Sequence, residues 1–152
     1  MLTFSQTAPS KGSVLVVDDD PDIRRLICEG LTAAGYQVVA ARHGREALDH
    51  LRASALPDLI VLDLVMPVMD GWEFRRQQVA EPSLATIPVL ILTVVEAPLM
   101  PTGAAAYLRK PFEFPRLINI VGILCQQRRG AAAALAAEDP LQNIRPSSTV
   151  LH

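Results

Sequence analysis

The sequence predicts an α/β protein in which helices cover both faces of a five-stranded parallel sheet. Short apolar runs alternate along the chain with segments whose apolar residues recur at helical spacing. Runs that are apolar at every position, rather than at every second one, are typical of strands buried on both faces. Alternating strands and helices imply right-handed crossovers and parallel pairing, and five strands favour the flavodoxin-like order 2-1-3-4-5 of a doubly wound sheet.

Five segments are predicted to be strands, and four of them lead directly into charged or hydroxyl residues. The strands are 13–17, 37–41, 59–62, 88–92 and 106–109. The residues that follow four of them are Asp18 with Asp19, Asp63, Thr93 and Lys110. In such a sheet, ligands bind beyond the carboxyl ends of the strands, where strands one and three flank the point at which the order reverses. We therefore expect these side chains to converge on one site.

Four segments are predicted to be helices, and the end signals are clearest in the first. Asp20 is a typical N-cap, Pro21 occupies the first helical position and Gly35 ends the helix. The predicted helices cover 21–34, 44–52, 72–79 and 112–128. Pro98 and Pro101 disfavour a regular helix between 94 and 102.

We predict one domain, with a short segment on either side of it. A chain of 152 residues is long enough for one well-buried domain, which we place at 13–129. Residues 1–12 are expected to be a flexible leader. The alanine-rich segment 130–152 predicts a further helical turn or two, followed by disorder.

Composition argues against several classes of partner. A net charge of −2 and a pI near 5.9 disfavour a nucleic-acid surface. The apolar runs are too short to span a membrane, and the first residues lack a secretory signal, so we expect a cytoplasmic protein. Cys28 and Cys125 lie in apolar helical patterns and are expected to be reduced packing residues.

The predicted acidic cluster calls for a cation. Two carboxylates about 4 Å apart repel by about 4 kcal/mol at an effective dielectric constant of about 20. Asp20 is explained as a helix cap, but collecting Asp18, Asp19 and Asp63 requires either a cation or a raised pKa. Mg²⁺ binds one or two carboxylates together with water and phosphate oxygens. With Lys110 and Thr93 nearby, the cluster predicts phosphoryl transfer onto a carboxylate.

Five segments, in this order, resemble the receiver domain of two-component response regulators. They are VVDDDPDIR at 16–24, DLIVLDL at 58–64, MPVMDGWEF at 66–74, ILT at 91–93 and YLRKPF at 107–112. The resemblance covers about residues 12–128. Any one of these motifs alone is weak, whereas five in the correct order are strong.

The resemblance implies a role for each residue of the site. Asp63 would be the phosphoacceptor, in agreement with its position alone on the central strand. Asp19, Asp63 and the backbone carbonyl of Val65 would bind Mg²⁺, with Asp18 acting mostly through water. Thr93 and Lys110 would contact the phosphoryl group.

The resemblance also implies a switch and a set of partners. Thr93 would shift on activation, Tyr107 would be the aromatic residue that rotates inward, and Lys110 would precede a cis proline. The phosphodonor would be a histidine kinase or a phosphotransfer protein, and the receptor of the signal a downstream protein. Such a domain would be a signalling module rather than an enzyme, a monomer or weak dimer without nucleic-acid or membrane partners.

Three positions depart from the family pattern. Val94 replaces the usual small residue after the threonine and could narrow access to Asp63. The stretch from Thr93 to Lys110 is about five residues short, so we predict that the family's fourth helix is absent or reduced to about one turn. Tyr107 would then have a more open pocket, and a partner would cover the apolar surface of the sheet if the 94–100 loop did not.

Val65 lies two residues after Asp63. Its apolar side chain cannot orient an attacking water by hydrogen bonding, which predicts slow self-dephosphorylation.

Three functions are compatible with these residues. The first is a stand-alone receiver that accepts phosphate on Asp63 and signals through protein contacts. The second is a non-phosphorylated pseudo-receiver that acts as a scaffold, which Val94 and the short segment favour but the intact site opposes. The third is a phosphohydrolase of the haloacid-dehalogenase kind, suggested by Asp18-Asp19-Asp20. It is disfavoured because the residues after Asp20 and the length of the chain do not fit that family.

Overall fold

A computed structural model describes residues 9–96 and 99–137, and within these ranges the chain forms one parallel sheet. Its strands are β1 Ser13–Val17, β2 Gln37–Ala41, β3 Leu59–Leu62, β4 Val89–Thr93 and β5 Ala106–Arg109. The order across the sheet is β2-β1-β3-β4-β5, and every neighbouring pair is parallel. The predicted flavodoxin-like fold and strand order are therefore confirmed.

Helices lie on both faces of the sheet. They are α1 Pro21–Ala33, α2 Gly44–Ala53, α3 Gly71–Ala80, α4 Pro82–Ala85 and α5 Phe114–Ala137. The predicted cap of α1 is present, because the Asp20 carboxylate accepts hydrogen bonds from the N–H groups of Asp22 and Ile23. The single turn α4, which precedes β4, was not expected from the sequence.

The core is divided by the sheet into two layers, because successive strand residues point to opposite faces. On β1, Leu15 and Val17 pack in the layer of α2 and α3, whereas Val14 and Val16 pack in the layer of α1 and α5. All residues of β3 and β4 are buried.

Both cysteines are free, as expected from the sequence. Burial raises the pKa of Cys125 to about 11, so its thiol stays protonated at neutral pH.

No helix connects β4 to β5 in the described residues of this connection, 94–96 and 99–105. This agrees with the predicted loss of the family's fourth helix. Val95 and Ala104 of the connection pack against the α2 and α3 core layer. The chain's own loop therefore covers this part of the sheet, although Tyr107 remains 40% exposed.

The described residues at both ends of the predicted domain are attached to it. α5 continues through Ala137, two turns past Arg129, and residues 138–152 of the predicted tail lie outside the described residues. Arg129 Nη1 donates a hydrogen bond to the carbonyl of Ser10, and Lys11 N donates one to Gly35 O. The last residues of the predicted leader are thus attached to the domain, and residues 1–8 lie outside the described ranges. Within the described part, none of the helices has the length and apolar character needed to cross a membrane.

Candidate functional site

The predicted site residues meet at the carboxyl edge of the sheet. Asp18 follows β1, Asp63 follows β3, Thr93 ends β4 and Lys110 follows β5. Backbone hydrogen bonds fix these strand ends together: Asp63 N donates to Val17 O at 2.9 Å, and Lys110 N donates to Thr93 O at 3.0 Å. The structure therefore brings together side chains that lie up to about 90 residues apart in the sequence.

Three carboxylates form the centre of the site. Asp18, Asp19 and Asp63 each offer one oxygen, and these oxygens lie within 4.8 Å of one another. Asp18 and Asp63 are buried, whereas Asp19 is exposed to solvent. One oxygen of Asp18 accepts a hydrogen bond from Asp20 N, and one oxygen of Asp63 accepts one from Leu64 N, both at 2.9 Å. The second oxygen of each faces the ammonium group of Lys110.

Lys110 lies between the two buried carboxylates. Its Nζ is 2.9 Å from Asp18 Oδ2 and 3.6 Å from Asp63 Oδ2, and its side chain is only 13% exposed. When all four groups are ionised, the three carboxylates and the one ammonium group together carry a net charge of −2. This excess, and the all-oxygen donor set, fit a hard divalent cation such as Mg²⁺.

The environment of Asp63 disfavours its ionised form. Burial, reinforced by the Asp18 carboxylate, raises the pKa of Asp63 to about 6, while Lys110 and the N–H of Leu64 oppose the rise. A cation bound to the cluster would act in the same sense as Lys110 and lower the pKa of Asp63.

Thr93 and Val94 occupy opposite environments at the end of β4. Thr93 is fully buried, and its Oγ1 accepts the N–H of Val95 at 3.3 Å. A hydroxyl group in this role still carries its own proton, which it can donate to a phosphoryl oxygen. Val94 is 61% exposed, so its isopropyl group lies on the surface next to Thr93.

The remaining predicted residues lie in the loops and edge strand around the site. Val65, two residues after Asp63, is 56% exposed in the loop that leads to α3. Tyr107 lies on β5, and its hydroxyl donates a hydrogen bond to the carbonyl of Pro101. The peptide bond between Lys110 and Pro111 is cis, as the resemblance implied. The metal-ligand role of Val65 and the switch role of Tyr107 stay predictions.

A buried polar pair on α3 was not predicted from the sequence. Arg75 and Gln78 are at most 9% exposed, and Arg75 Nη1 donates to Gln78 Oε1 at 2.8 Å. Gln78 Nε2 donates to the carbonyls of Leu84 and Ile87, while Arg75 Nη2 donates to Gly103 O at 2.7 Å. The pair thus ties the chain before β4 to the chain after it. The available signal was the position of Gln78, four residues after Phe74, where helical spacing predicts an apolar residue.

Comparison with known proteins agrees with this geometry. The family model "Response regulator receiver domain" matches residues 14–122. Response regulator MprA of Mycolicibacterium vanbaalenii is 41% identical over 136 residues, which is 83% of this chain and 58% of that protein. The chain therefore spans little more than half the length of that relative.

Two solved structures extend the comparison to the fold. The receiver domain of a signal transduction histidine kinase from Syntrophus aciditrophicus has a TM-score of 0.69 at 29% identity, covering 93% of this chain and 98% of that one. Response regulator TrrA of Thermotoga maritima, solved in complex with Mg²⁺ and BeF, has a TM-score of 0.66 at 32% identity, covering 74% and 97%. The family match, the relatives and the shared fold lead to one conclusion: this chain belongs to the response regulator receiver domain family.

Proposed function

We propose that the chain accepts a phosphoryl group on Asp63 from a histidine kinase or phosphotransfer protein and signals by binding another protein. The observation that carries this proposal is the position of Lys110 Nζ, 2.9 Å from Asp18 and 3.6 Å from Asp63, beside three converging carboxylates. A purely structural role would not require so many ionisable groups in one place.

The proposed reaction is an in-line displacement at phosphorus. A carboxylate oxygen of Asp63 attacks, an O–P bond forms, and the P–N bond of the donor phosphohistidine breaks with its electron pair returning to the imidazole. Lys110 can donate from Nζ to a phosphoryl oxygen, and Thr93 can donate its hydroxyl proton to another. The product is an acyl phosphate on Asp63.

Mg²⁺ is the proposed cofactor. Asp19, Asp63 and the carbonyl of Val65 would hold it, with Asp18 acting mostly through water. When bound, it would neutralise the charge of the cluster and of the phosphoryl oxygens. The exposed position of Asp19 leaves room for water ligands, and the complex of the neighbour TrrA with Mg²⁺ and BeF supports the assignment.

Output is proposed to occur through protein contacts near β5. Since the described residues between β4 and β5 form no helix, a partner would meet a loop, together with the exposed Tyr107, where the family normally presents a helix. Receiver domains are signalling modules, and we propose the same role here. The downstream protein, the stand-alone organisation and the monomeric or weakly dimeric state remain predictions.

Intact mass spectrometry tests the acceptor role. After incubation with Mg²⁺ and acetyl phosphate, the parent chain should gain one phosphoryl group of about 80 Da, and Asp63→Asn should gain none. Asp20→Asn is the matched control, because it makes the same change next to the cluster and asparagine preserves the cap of α1. Failure of the parent and the control to gain mass would exclude the proposal.

The pseudo-receiver is the second candidate, and one observation favours it. Val94 stands exposed beside Thr93, at the position where the family usually has a small residue. This candidate predicts that the chain binds Mg²⁺ but gains no phosphoryl group. The same mass measurement, together with a Mg²⁺ titration, separates the two functions.

A further inference from the structure

A groove of about 470 Å³ lies beside α5 at the amino edge of the sheet, the edge opposite the carboxylate cluster. This volume is within the range of about 300–1,000 Å³ that small-molecule sites occupy. Lys11 and Tyr36, which precede β1 and β2, line the groove. The other lining residues share one face of α5 and are Ile118, Asn119, Gly122, Ile123 and Gln126. We call this space the amino-edge groove.

The missing side chain of Gly122 leaves the groove open. A β-carbon on Gly122 would lie 3.3 Å from the hydroxyl oxygen of Tyr36, and none of the other described residues packs against that position. Gly30 of α1 differs, because a β-carbon there would lie 1.8 Å from the ring of Phe114. Close packing therefore requires a glycine at position 30. No such contact explains Gly122, although glycine in a helix interior lowers stability relative to alanine.

The hydroxyl of Tyr36 is available to a ligand in the groove. Tyr36 is only 7% exposed and packs in the α1 and α5 layer, and its hydroxyl lies next to Gly122. Burial raises the pKa of Tyr36, so the hydroxyl keeps its proton. The hydroxyl of Tyr107, the only other tyrosine, donates to Pro101 O, whereas that of Tyr36 has no hydrogen-bond partner among the described residues. A buried tyrosine of this kind calls for a hydrogen-bond acceptor.

Lys11 gives the groove a positive charge. Lys11 N donates to Gly35 O at 3.0 Å, and the side-chain methylene groups of Lys11 lie 3.3–3.4 Å from the position of a β-carbon on Gly35. The neighbouring carbonyls of Ser10 and Gly12 also accept hydrogen bonds, so the chain is fixed on both sides of Lys11. Lys11 takes part in none of the ion pairs between described residues. Since none of the lining residues is acidic, the groove favours an anion.

The lining residues indicate a singly charged carboxylate with an aliphatic chain. One ammonium group balances one negative charge, and the side-chain amides of Asn119 and Gln126 can donate further hydrogen bonds. A doubly charged phosphate would leave one charge unbalanced. The side chains of Ile118 and Ile123 offer apolar surface to the chain of the ligand. Between residues 118 and 126 the helix rises about 12 Å, which suits an extended chain of about eight carbons.

We propose that the amino-edge groove binds a small aliphatic monocarboxylate, whose carboxylate pairs with the ammonium group of Lys11 and whose chain lies along α5 beside Gly122. This site goes beyond the proposed function and does not depend on it. The groove and the Asp63 cluster lie at opposite edges of the sheet, so that each can be tested without the other.

Nuclear magnetic resonance of the isotope-labelled full chain tests this proposal, with octanoate as the probe. We expect saturable shifts of the signals of residues 118–126, with a Kd of about 1 mM or lower, as is usual for a ligand of about ten non-hydrogen atoms. Octanamide and octylamine have the same chain without the negative charge and should bind at least about tenfold more weakly. Shifts that do not saturate by about 10 mM octanoate, or equal affinities for octanoate and octylamine, would overturn the proposal.

A pair of glycine variants on α5 tests the position of the ligand. Gly122→Leu fills the groove and should weaken octanoate binding at least about tenfold, because the leucine side chain occupies the place of the ligand. Gly130→Leu is the matched control, since a β-carbon on Gly130 would have no neighbour within 4 Å. It should bind octanoate as tightly as the parent. Equal affinities of the parent and Gly122→Leu would show that octanoate does not bind in the groove.

Lys11→Met tests the charge without filling the groove. Lys11 is exposed, so the substitution should leave the fold intact. It should weaken octanoate binding by about five- to tenfold and leave the binding of octanamide unchanged, since only the carboxylate pairs with the ammonium group. An unchanged affinity for octanoate, or equal losses for the two ligands, would overturn the proposed contact between Lys11 and the carboxylate.

Discussion

The ammonium group of Lys110 lies 3.6 Å from the carboxylate of Asp63, although their strands are not neighbours in the sheet. β4 separates β5 from β3, and the Lys110 side chain reaches across its end. The contact is nearly dry, because both side chains are at most 13% exposed. A charge in this position acts through a low local dielectric constant. Removing it should therefore strongly change the electrostatic potential at the Asp63 carboxylate.

Lys110→Met should slow phosphorylation of Asp63 by about 100-fold, the usual loss when one preorganised donor is removed. The initial rate of mass gain with acetyl phosphate measures this effect. Lys11→Met is the control, because Lys11 lies at the opposite, amino edge of the sheet, before β1. Equal rates for the parent and Lys110→Met would show that the ammonium group does not assist the transfer.

Asp63→Asn should stabilise the chain at pH 7 without Mg²⁺, by about 1–3 kcal/mol in the free energy of unfolding. The pKa of Asp63 is about 6 in the folded chain and about 3.8 as a free side chain, so the folded state binds more protons between these values. The parent therefore loses stability as the pH rises from about 4 to 6, and the loss is complete above 6.

Urea denaturation at pH 7 and at pH 3.5 measures this difference. The advantage of Asp63→Asn should be present at pH 7 and absent at pH 3.5, while Asp20→Asn should match the parent at both. An Asp63→Asn variant less stable than the parent at pH 7 would show that the carboxylate is not disfavoured in the fold.

Mg²⁺ should raise the melting temperature of the parent, and Asp19→Asn should lose most of this effect. The reason is that a ligand that binds only the folded state stabilises it, and the stabilisation at a given concentration falls as the affinity falls. Asp22→Asn is the control, since Asp22 is exposed in the first turn of α1 and outside the cluster. Equal stabilisation of Asp19→Asn and Asp22→Asn would argue against the assigned metal site.

The acyl phosphate on Asp63 should hydrolyse slowly, because the exposed side chain of Val65 cannot orient an attacking water. Val65→Asn should shorten the half-life of the phosphorylated chain by about tenfold, since a positioned polar group can assist the water. Val79→Asn, at an exposed position on α3, should leave it unchanged. A half-life of seconds in the parent would be inconsistent with this view.

Val68→Gly should stabilise the fold by about 1 kcal/mol, because the left-handed conformation costs a β-branched residue about that much. Val68 has φ of 67° and a side chain that is 79% exposed, so glycine loses little packing. Val65→Gly, in the same loop but not at a positive φ, should instead destabilise the chain. Thermal denaturation of the two variants measures these changes in stability. A melting temperature for Val68→Gly below that of the parent would show that the backbone conformation of Val68 is not strained.

Much of this architecture could be predicted from local patterns. β3 and β4 are continuous apolar runs that end at Asp63 and Thr93, and the alternation of strands with helices requires parallel crossovers. The order of the strands then brings Asp18, Asp63 and Lys110 to one edge. Their convergence is a consequence of topology rather than of any single motif.

Features that depend on tertiary neighbours could not be predicted in this way. α4 is one turn long and therefore carries no periodicity. Arg75 and Gln78 are tolerated in the core only because carbonyls of distant loops accept their hydrogen bonds. Similarly, the positive φ of Val68 is imposed by the loop and not by its residue type.

The most direct test of the account is to locate the phosphoryl group by fragment masses after incubation with acetyl phosphate and Mg²⁺. We predict a single added group, on Asp63 of the full chain, that is absent when the Mg²⁺ is chelated. A phosphoryl group on any other residue, or none in the presence of Mg²⁺, would contradict the assignment of Asp63 as the acceptor.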